Sequence, residues 1–405
     1  MYWMTGDLPG TGGSYKFCPE DFQVEEIPLY PCAGTGEHLY LNIEKRGLTS
    51  LEVLRQIAGC VKIQLRDIGY AGLKDAQAVT RQWISLPGHC EALLPALTQL
   101  PIKILSQTRH HNKLRLGHLA GNHFRLRVRQ PRPAAKQQAD QILQRLAEKG
   151  VPNHFGEQRY GLLGNSQRLG MLLLKADYPE FCREFMGDPA QIENRPWREA
   201  AEHFRAGDPA AALNKLPPRM QDERRLLEML LQGRAPKAAV LALPQALLRL
   251  YLSALQSSLF DQLLFQRLPD LGRLYPGDLA IKHANGACFL VEDPALEQAR
   301  ADRFEISPTA PLFGSKLKLA EQQPGKLEKQ LLADLGLCPA SWSLGKGLTM
   351  NGERRALRVP LGAFTTTQIG SDLQLDFCLP RGSYATSVLQ EIIKPEQPTT
   401  RPQST

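Results

Sequence analysis

His123-Phe124-Arg125-Leu126-Arg127-Val128-Arg129-Gln130 alternates strictly between apolar and polar or cationic side chains. Successive side chains of a strand point to opposite faces. Phe124, Leu126 and Val128 therefore share one side, and His123, Arg125, Arg127 and Arg129 the other. Such a strand packs on a core behind and meets anions in front. Outward from it, the same period of two marks further strands at Asp21-Phe22-Gln23-Val24-Glu25-Glu26-Ile27, at Leu39 to Glu44, at Arg81 to Leu86 and at Leu373 to Leu379. Helical spacing appears from Thr49 to Ile57 behind a Thr or Ser cap, and from Ala134 to Lys149 before a Gly150 stop. A last helix follows the Pro380-Arg381-Gly382-Ser383 turn, with Val388, Leu389, Ile392 and Ile393 on one stripe.

Between about residues 156 and 340 the character changes. Helical windows dominate there (Trp197–Phe204, Asp222–Leu231, Gln245–Leu268), and strand signals are few until Asp278–Leu290. Strand-rich ends flanking a helix-rich middle imply an α+β chain with an insertion. Residues 1–20, Gly-rich and without periodicity, read as a loose arm. The tail 395–405 is expected to be disordered. There is no internal repeat.

A length of 405 residues predicts about two or three domains, and 42% hydrophobic content supports folded cores. No apolar run approaches the roughly 20 residues that span a membrane. The opening Met1-Tyr2-Trp3-Met4-Thr5-Gly6-Asp7 has no basic or apolar leader, so a cytoplasmic location is expected. Eight cysteines lie scattered without Cys-X-X-Cys, and nine histidines show no His-Glu-X-X-His. Reduced thiols and no metal site are expected. Forty-nine Lys and Arg against 41 Asp and Glu give a net charge of +8. Seven of those cations (Lys103, Arg109, Lys113, Arg115, Arg125, Arg127, Arg129) fall between Pro101 and Gln130, which contains no acid. That concentration reads as a phosphate-binding surface or as a solvated basic face.

One carboxylate stands out. In Gly69-Tyr70-Ala71-Gly72-Leu73-Lys74-Asp75-Ala76-Gln77-Ala78-Val79-Thr80-Arg81-Gln82-Trp83, Asp75 follows a Gly-X-X-Gly turn with cations on both sides. Neighbouring positive charge keeps an aspartate ionised. Asp75 is thus a salt-bridged turn residue, or a nucleophilic or electrostatic carboxylate in a site for something anionic. Other islands carry weaker signals. Phe22 at a strand start suits core packing or stacking, and Asn122 after Gly121 suits a turn or a base edge. Asn153-His154-Phe155-Gly156-Glu157-Gln158-Arg159-Tyr160-Gly161 mixes aromatic, amide and cationic groups. Arg381 beside a helix start could hold a phosphate.

Taken together and in order, these islands resemble the TruD family of tRNA pseudouridine synthases. The resemblance runs over Asp21–Glu26, Ala71–Asp75 with Ala78–Gln82, Leu114–Gly117 through Gly121–Phe124, Pro152–Gly161, Ser307–Gly314 and Leu379–Ser387. It is thinnest from about 165 to 300. It implies isomerisation of a tRNA uridine, typically uridine 13, to pseudouridine, with tRNA as partner, no cofactor and no obligate protein partner. The catalytic aspartate falls on Asp75, the uracil-site aromatic on Phe22, the substrate-contacting asparagine on Asn122 and a second pocket aromatic on Phe377. The implied fold is a synthase domain with a central mixed, mainly antiparallel sheet (residues 1–160 and 345–405), interrupted by a TruD-specific α/β domain (161–344).

Pseudouridine formation breaks N1–C1′, turns the uracil and joins C5 to C1′. Attack on C1′, attack on C6 and deprotonation at C2′ all need an ionised carboxylate. Lys74 or Arg81 would favour it, and the planar, permanently charged guanidinium of Arg81 is the better expectation. Base flipping costs a few kcal/mol. Stacking on a ring such as Phe22 or Phe377 returns about 1–3 kcal/mol. Cations such as Arg125 and Arg127 would take phosphates. Two other readings are an RNA-binding or RNA-chaperone protein of this fold without turnover, and a hydrolase. The hydrolase would want a second carboxylate or a metal.

Overall fold

A computed structural model describes residues 3–345 and 347–394; the tail expected to be disordered lies outside them. The chain divides into two compact units, one of residues up to Val151 with those from Val359, the other Pro152–Arg358. Residues Asn153–Tyr160, which the sequence assigns to the first domain, pack within the second unit. Asn153 bonds Ala356 O, Phe155 N and Tyr160 Oη reach Asp261, and Arg159 reaches Ser257.

The first unit is built on an eight-stranded sheet with strands β1 (Phe22–Pro28), β2 (His38–Arg46), β3 (Gly69–Tyr70), β4 (Val79–Pro87), β5 (Ile102–His110), β6 (Leu119–Val128), β7 (Phe364–Ile369) and β8 (Asp372–Pro380). Their order is β7-β8-β6-β1-β4-β2-β5, with β3 paired to β4. Only β1 and β4 run parallel; the remaining pairs are antiparallel. Helices α1 (Ser50–Cys60), α2 (Ala135–Lys149) and α3 (Ala385–Ile393) complete it. Thr49 and Glu52 form a reciprocal capping box that starts α1.

The inward rows of the strands explain where the core lies and where it stops. Phe22 and Val24, Phe124, Leu126 and Val128, and Leu373, Leu375 and Phe377 pack against α2 and α3. Leu39, Leu41 and Ile43 of β2, with Ile84 and Leu86 of β4, pack against α1. Each row then turns polar while staying buried: Glu26 after Val24, Lys45 after Ile43, Gln82 and Thr80 before Ile84. Registry gathers these ends, since Glu26 pairs with Asn122, Val24 with Thr80 and Thr80 with Lys45.

Residues 3–20 are not a loose arm. Thr5 and Met4 bond the buried Glu391 of α3, Thr11 and Gly12 bond carbonyls at its end, and Ser14 bridges to Arg129. Gly10 is obligatory there, because a Cβ would come within 2.6 Å of Lys394 Cβ. The second unit holds helices including Arg195–Arg205, Gln221–Leu231 and Gln245–Gln266, and a four-stranded sheet. One of its inner strands, Ile306–Leu312, contains Pro308 and Pro311.

Candidate active site

Asp75 sits in the irregular stretch between β3 and β4, where the inward rows turn polar. Its loop is tied down through the main chain. Lys74 N donates to Ser50 Oγ at 2.9 Å, and Lys45 Nζ donates to Asp75 O at 2.8 Å. The carboxylate accepts from Gln77 N at 3.0 Å and pairs with the ammonium of Lys16, leaving it a quarter exposed. Burial pushes Asp75 upward, but the hydrogen bond and charge of Lys16 outweigh that, aided by Gln77 N–H and by Lys45. The result is a carboxylate held below its usual range, and hence ionised at neutral pH.

Lys16 does two things at once, because its Nζ also stands 4.3 Å from the centre of the Phe22 ring. Ion pair and ring contact bring Asp75, Lys16 and Phe22 into one cluster. Asn122 joins through the neighbouring residue. Lys74 Nζ pairs with the buried Glu26 at 3.1 Å and donates to Asn122 Oδ1 at 2.5 Å. Burial dominates at Glu26 and raises it, while Lys74 pulls it down. An ammonium only donates, so Lys74 fixes which end of the Asn122 amide it meets. Nδ2, with two donors, is left for other partners.

Phe377 is set further back. Its ring is fully buried and packs 5.5 Å from Phe124, which in turn meets Phe22 edge-on at 6.4 Å. The three rings form a row along the core face, with Phe22 at the Asp75 end.

Arg81 does not pair with Asp75. It lies on the other side of β4, bonded to Glu44 at 2.8 Å and near Glu25 at 3.4 Å. The alternation that turns Thr80 and Gln82 inward turns Arg81 outward. Neither does Lys74, whose ammonium is committed to Glu26 and Asn122. The cation for Asp75 is Lys16, hidden from sequence reading in an arm without periodicity.

The outward face of β6 is cationic as expected, yet most of its anions are internal. Arg125 pairs with Asp376 at 2.8 Å, and Arg129 with Asp21 and Asp372 at 2.7 Å each. Arg115 is exposed and Arg127 half-buried, and neither makes an ion pair among the described residues. A shallow cleft on this side is lined by Gln23, Glu25, Val79, Arg81, His123 and Arg125. Among the described residues no group of three or more His, Cys, Asp or Glu comes together as metal ligands, and no helix is long and apolar enough to cross a membrane.

Comparison with known proteins places the chain in a family. The profile of tRNA pseudouridine synthase D (TruD) matches residues 1–392. A tRNA pseudouridine synthase D from Syntrophotalea carbinolica is 52% identical over 97% of this chain and 98% of the relative. One from Thermus thermophilus is 39% identical over 97% of this chain and 92% of the relative. A crystal structure described as a tRNA pseudouridine synthase D from Methanosarcina mazei superposes with a TM-score of 0.81 at 25% identity, covering 97% of this chain and 96% of that one. A match over nearly the whole length, in sequence and in fold, means that the chain belongs to the TruD family of tRNA pseudouridine synthases, which are isomerases.

Proposed function

We propose that this protein converts uridine 13 of tRNA to pseudouridine, with Asp75 as the nucleophile, a flipped-out base and no cofactor. The observation that carries the reading is the ionised Asp75 carboxylate paired with Lys16 beside the Phe22 ring. Cleavage of N1–C1′ leaves the uracil with the bonding electrons and C1′ electron-poor. An ionised carboxylate serves attack at C1′ or C6 and equally proton removal at C2′. The detached ring must stay while it turns. Phe22 is buried with Lys16 over its ring, so stacking on it needs that cover to move aside and then returns about 1–3 kcal/mol, against a flipping cost of a few. Phe377 contributes to the same aromatic wall through Phe124. Asn122, its Oδ1 engaged by Lys74, offers Nδ2 to a uracil carbonyl oxygen. Rejoining at C5 releases the C5 proton and returns one to N1, so the reaction balances without a co-reactant.

Arg125 and Arg127 would hold backbone phosphates and set register. Residues 161–344, within the second unit, are the family-specific insertion on this reading.

The test is nucleotide-resolution mapping of pseudouridine on an unmodified tRNA transcript. Wild type should give product at uridine 13 alone. Asp75→Ala should give none while binding the transcript with unchanged affinity. Product from Asp75→Ala, or wild-type product at another position only, would overturn the reading.

A further inference from the structure

Lys45 closes the inward row of β2 that begins with Leu39, Leu41 and Ile43, and only 1% of it is exposed. Lysine is almost never buried to this extent unless paired, because an ammonium loses several kcal/mol of hydration. Yet Lys45 forms no ion pair among the described residues. Its hydrogen bonds go to two main-chain carbonyls, Leu48 O at 2.6 Å and Asp75 O at 2.8 Å.

The residues around it follow the same plan. Ser50, at the start of α1 and 3% exposed, donates to Gln82 Oε1 at 2.8 Å and accepts from Lys74 N at 2.9 Å. Gly47 N donates to Ala78 O at 3.2 Å. The turn between β2 and α1 thus grips the loop at residues 74, 75 and 78. We propose that Lys45 is a positioning residue for the reaction, holding the main chain of Asp75 in register from beneath while Ser50 holds Lys74.

The physical case is one of cost. For stability alone, an apolar side chain of similar length would continue the row, and replacing buried charge by apolar groups is often neutral or stabilising. A desolvated ammonium aimed at the carbonyl of the reactive residue is instead what a loop without regular structure needs. A misplacement of about 1 Å can lower a rate by about a hundredfold. Lys45 also lends charge to the Asp75 carboxylate. Burial pushes its own ammonium down to about 8, against Asp75 and Glu52, which raise it; Lys74 adds to the lowering.

The experiment compares full-length Lys45→Met, Lys45→Arg and Ser50→Ala in single-turnover pseudouridine formation and, separately, in tRNA affinity. Lys45→Met is expected to lower the rate by about a hundredfold with affinity within about twofold, and Lys45→Arg to recover part of the rate. The wild-type rate should fall as pH rises through about 8, where Lys45 loses its proton, and this fall should be absent in Lys45→Arg, which cannot deprotonate there. A folded Lys45→Met with a wild-type rate, or a loss confined to affinity, would overturn the proposal. If Lys45→Met does not fold, Ser50→Ala decides: about a tenfold slower rate at unchanged affinity supports the grip, and an unchanged rate sinks it. The inference rests on Asp75 as the reactive carboxylate, and Asp75→Ala separates the two. An active Asp75→Ala removes the underlying reading; an inactive one beside a normal Lys45→Met removes this proposal alone.

Discussion

Around Asp75 the charges are enclosed and committed, with Lys16 and Lys74 side chains only 12% and 6% exposed. On the outer face of β6 they are open, and Arg125 is 49% exposed although paired with Asp376. Charges of the same sign therefore sit in two different environments. Enclosed pairs act at low dielectric, hold fixed geometry and shift ionisation. Open pairs contribute about 0–1 kcal/mol and can exchange a carboxylate for a phosphate at little cost. On the proposed function, the first region places the reacting groups and the second attracts the RNA backbone reversibly.

Removing Lys16 tests the enclosed side most severely. In Lys16→Met the burial that raises Asp75 remains, while the ammonium that lowers it is gone. The folded-state pKa of Asp75 must then rise. We expect the single-turnover rate at neutral pH to fall about a hundredfold. We also expect the acid limb of the pH–rate profile to move to higher pH, since the proposed reaction needs the ionised form. An unmoved limb would mean that Lys16 does not set the ionisation of Asp75, and the contrast between the two regions would lose its main support.

The cluster that Lys16 completes was only partly legible in the sequence. Alternation located β1, β2, β4, β6 and β8 but not β3, β5 or β7, and the capping pattern located α1. The motif islands marked Asp75, Phe22 and Asn122. Lys16 was hidden because its arm has no periodicity; what orders it is contact with α3 and Arg129, far away in sequence. Proximity along the chain suggests Arg81 as the partner of Asp75, but period two turns it to the face opposite Gln82, where it meets Glu44 and Glu25. Glu26 and Lys45 carried a signal that parity exposes, being charged residues on the inward row of an otherwise apolar face. The strand Ile306–Leu312 escaped because Pro308 and Pro311 remove ladder donors and argue against an inner strand.

Lys74→Met sharpens the comparison through stability as well as rate. It frees the Asn122 amide to turn, and we expect about a tenfold lower rate with little change in tRNA affinity. It also leaves Glu26 buried without its cation. Breaking such a pair costs about 3 kcal/mol, read as a lower thermal midpoint at pH 7. Burial already raises Glu26 in the folded state, and losing Lys74 raises it further. A raised folded-state value means that stability is present at low pH and lost as pH rises through it. The deficit should therefore shrink as pH falls toward about 4.3, the ordinary glutamate value. A deficit independent of pH would show that packing, and not the stranded carboxylate, causes the loss.

The outer face should respond weakly and in both directions. Arg125→Ala and Arg127→Ala are each expected to weaken tRNA binding a few-fold, whatever base occupies the target position, and to reduce the salt slope by about one. Arg125→Ala should cost more than Arg127→Ala, because it leaves the Asp376 carboxylate facing the incoming phosphates without its guanidinium, held by the neutral Gln374 amide at 2.8 Å and with His123 at 3.6 Å. Asp376→Asn then runs the other way. It releases Arg125 from its internal partner and removes a negative charge from the face, so affinity at low salt should rise a few-fold while the catalytic rate stays the same. If Asp376→Asn weakens binding instead, the carboxylate is orienting Arg125 toward the backbone, and this pair belongs with the committed charges around Asp75.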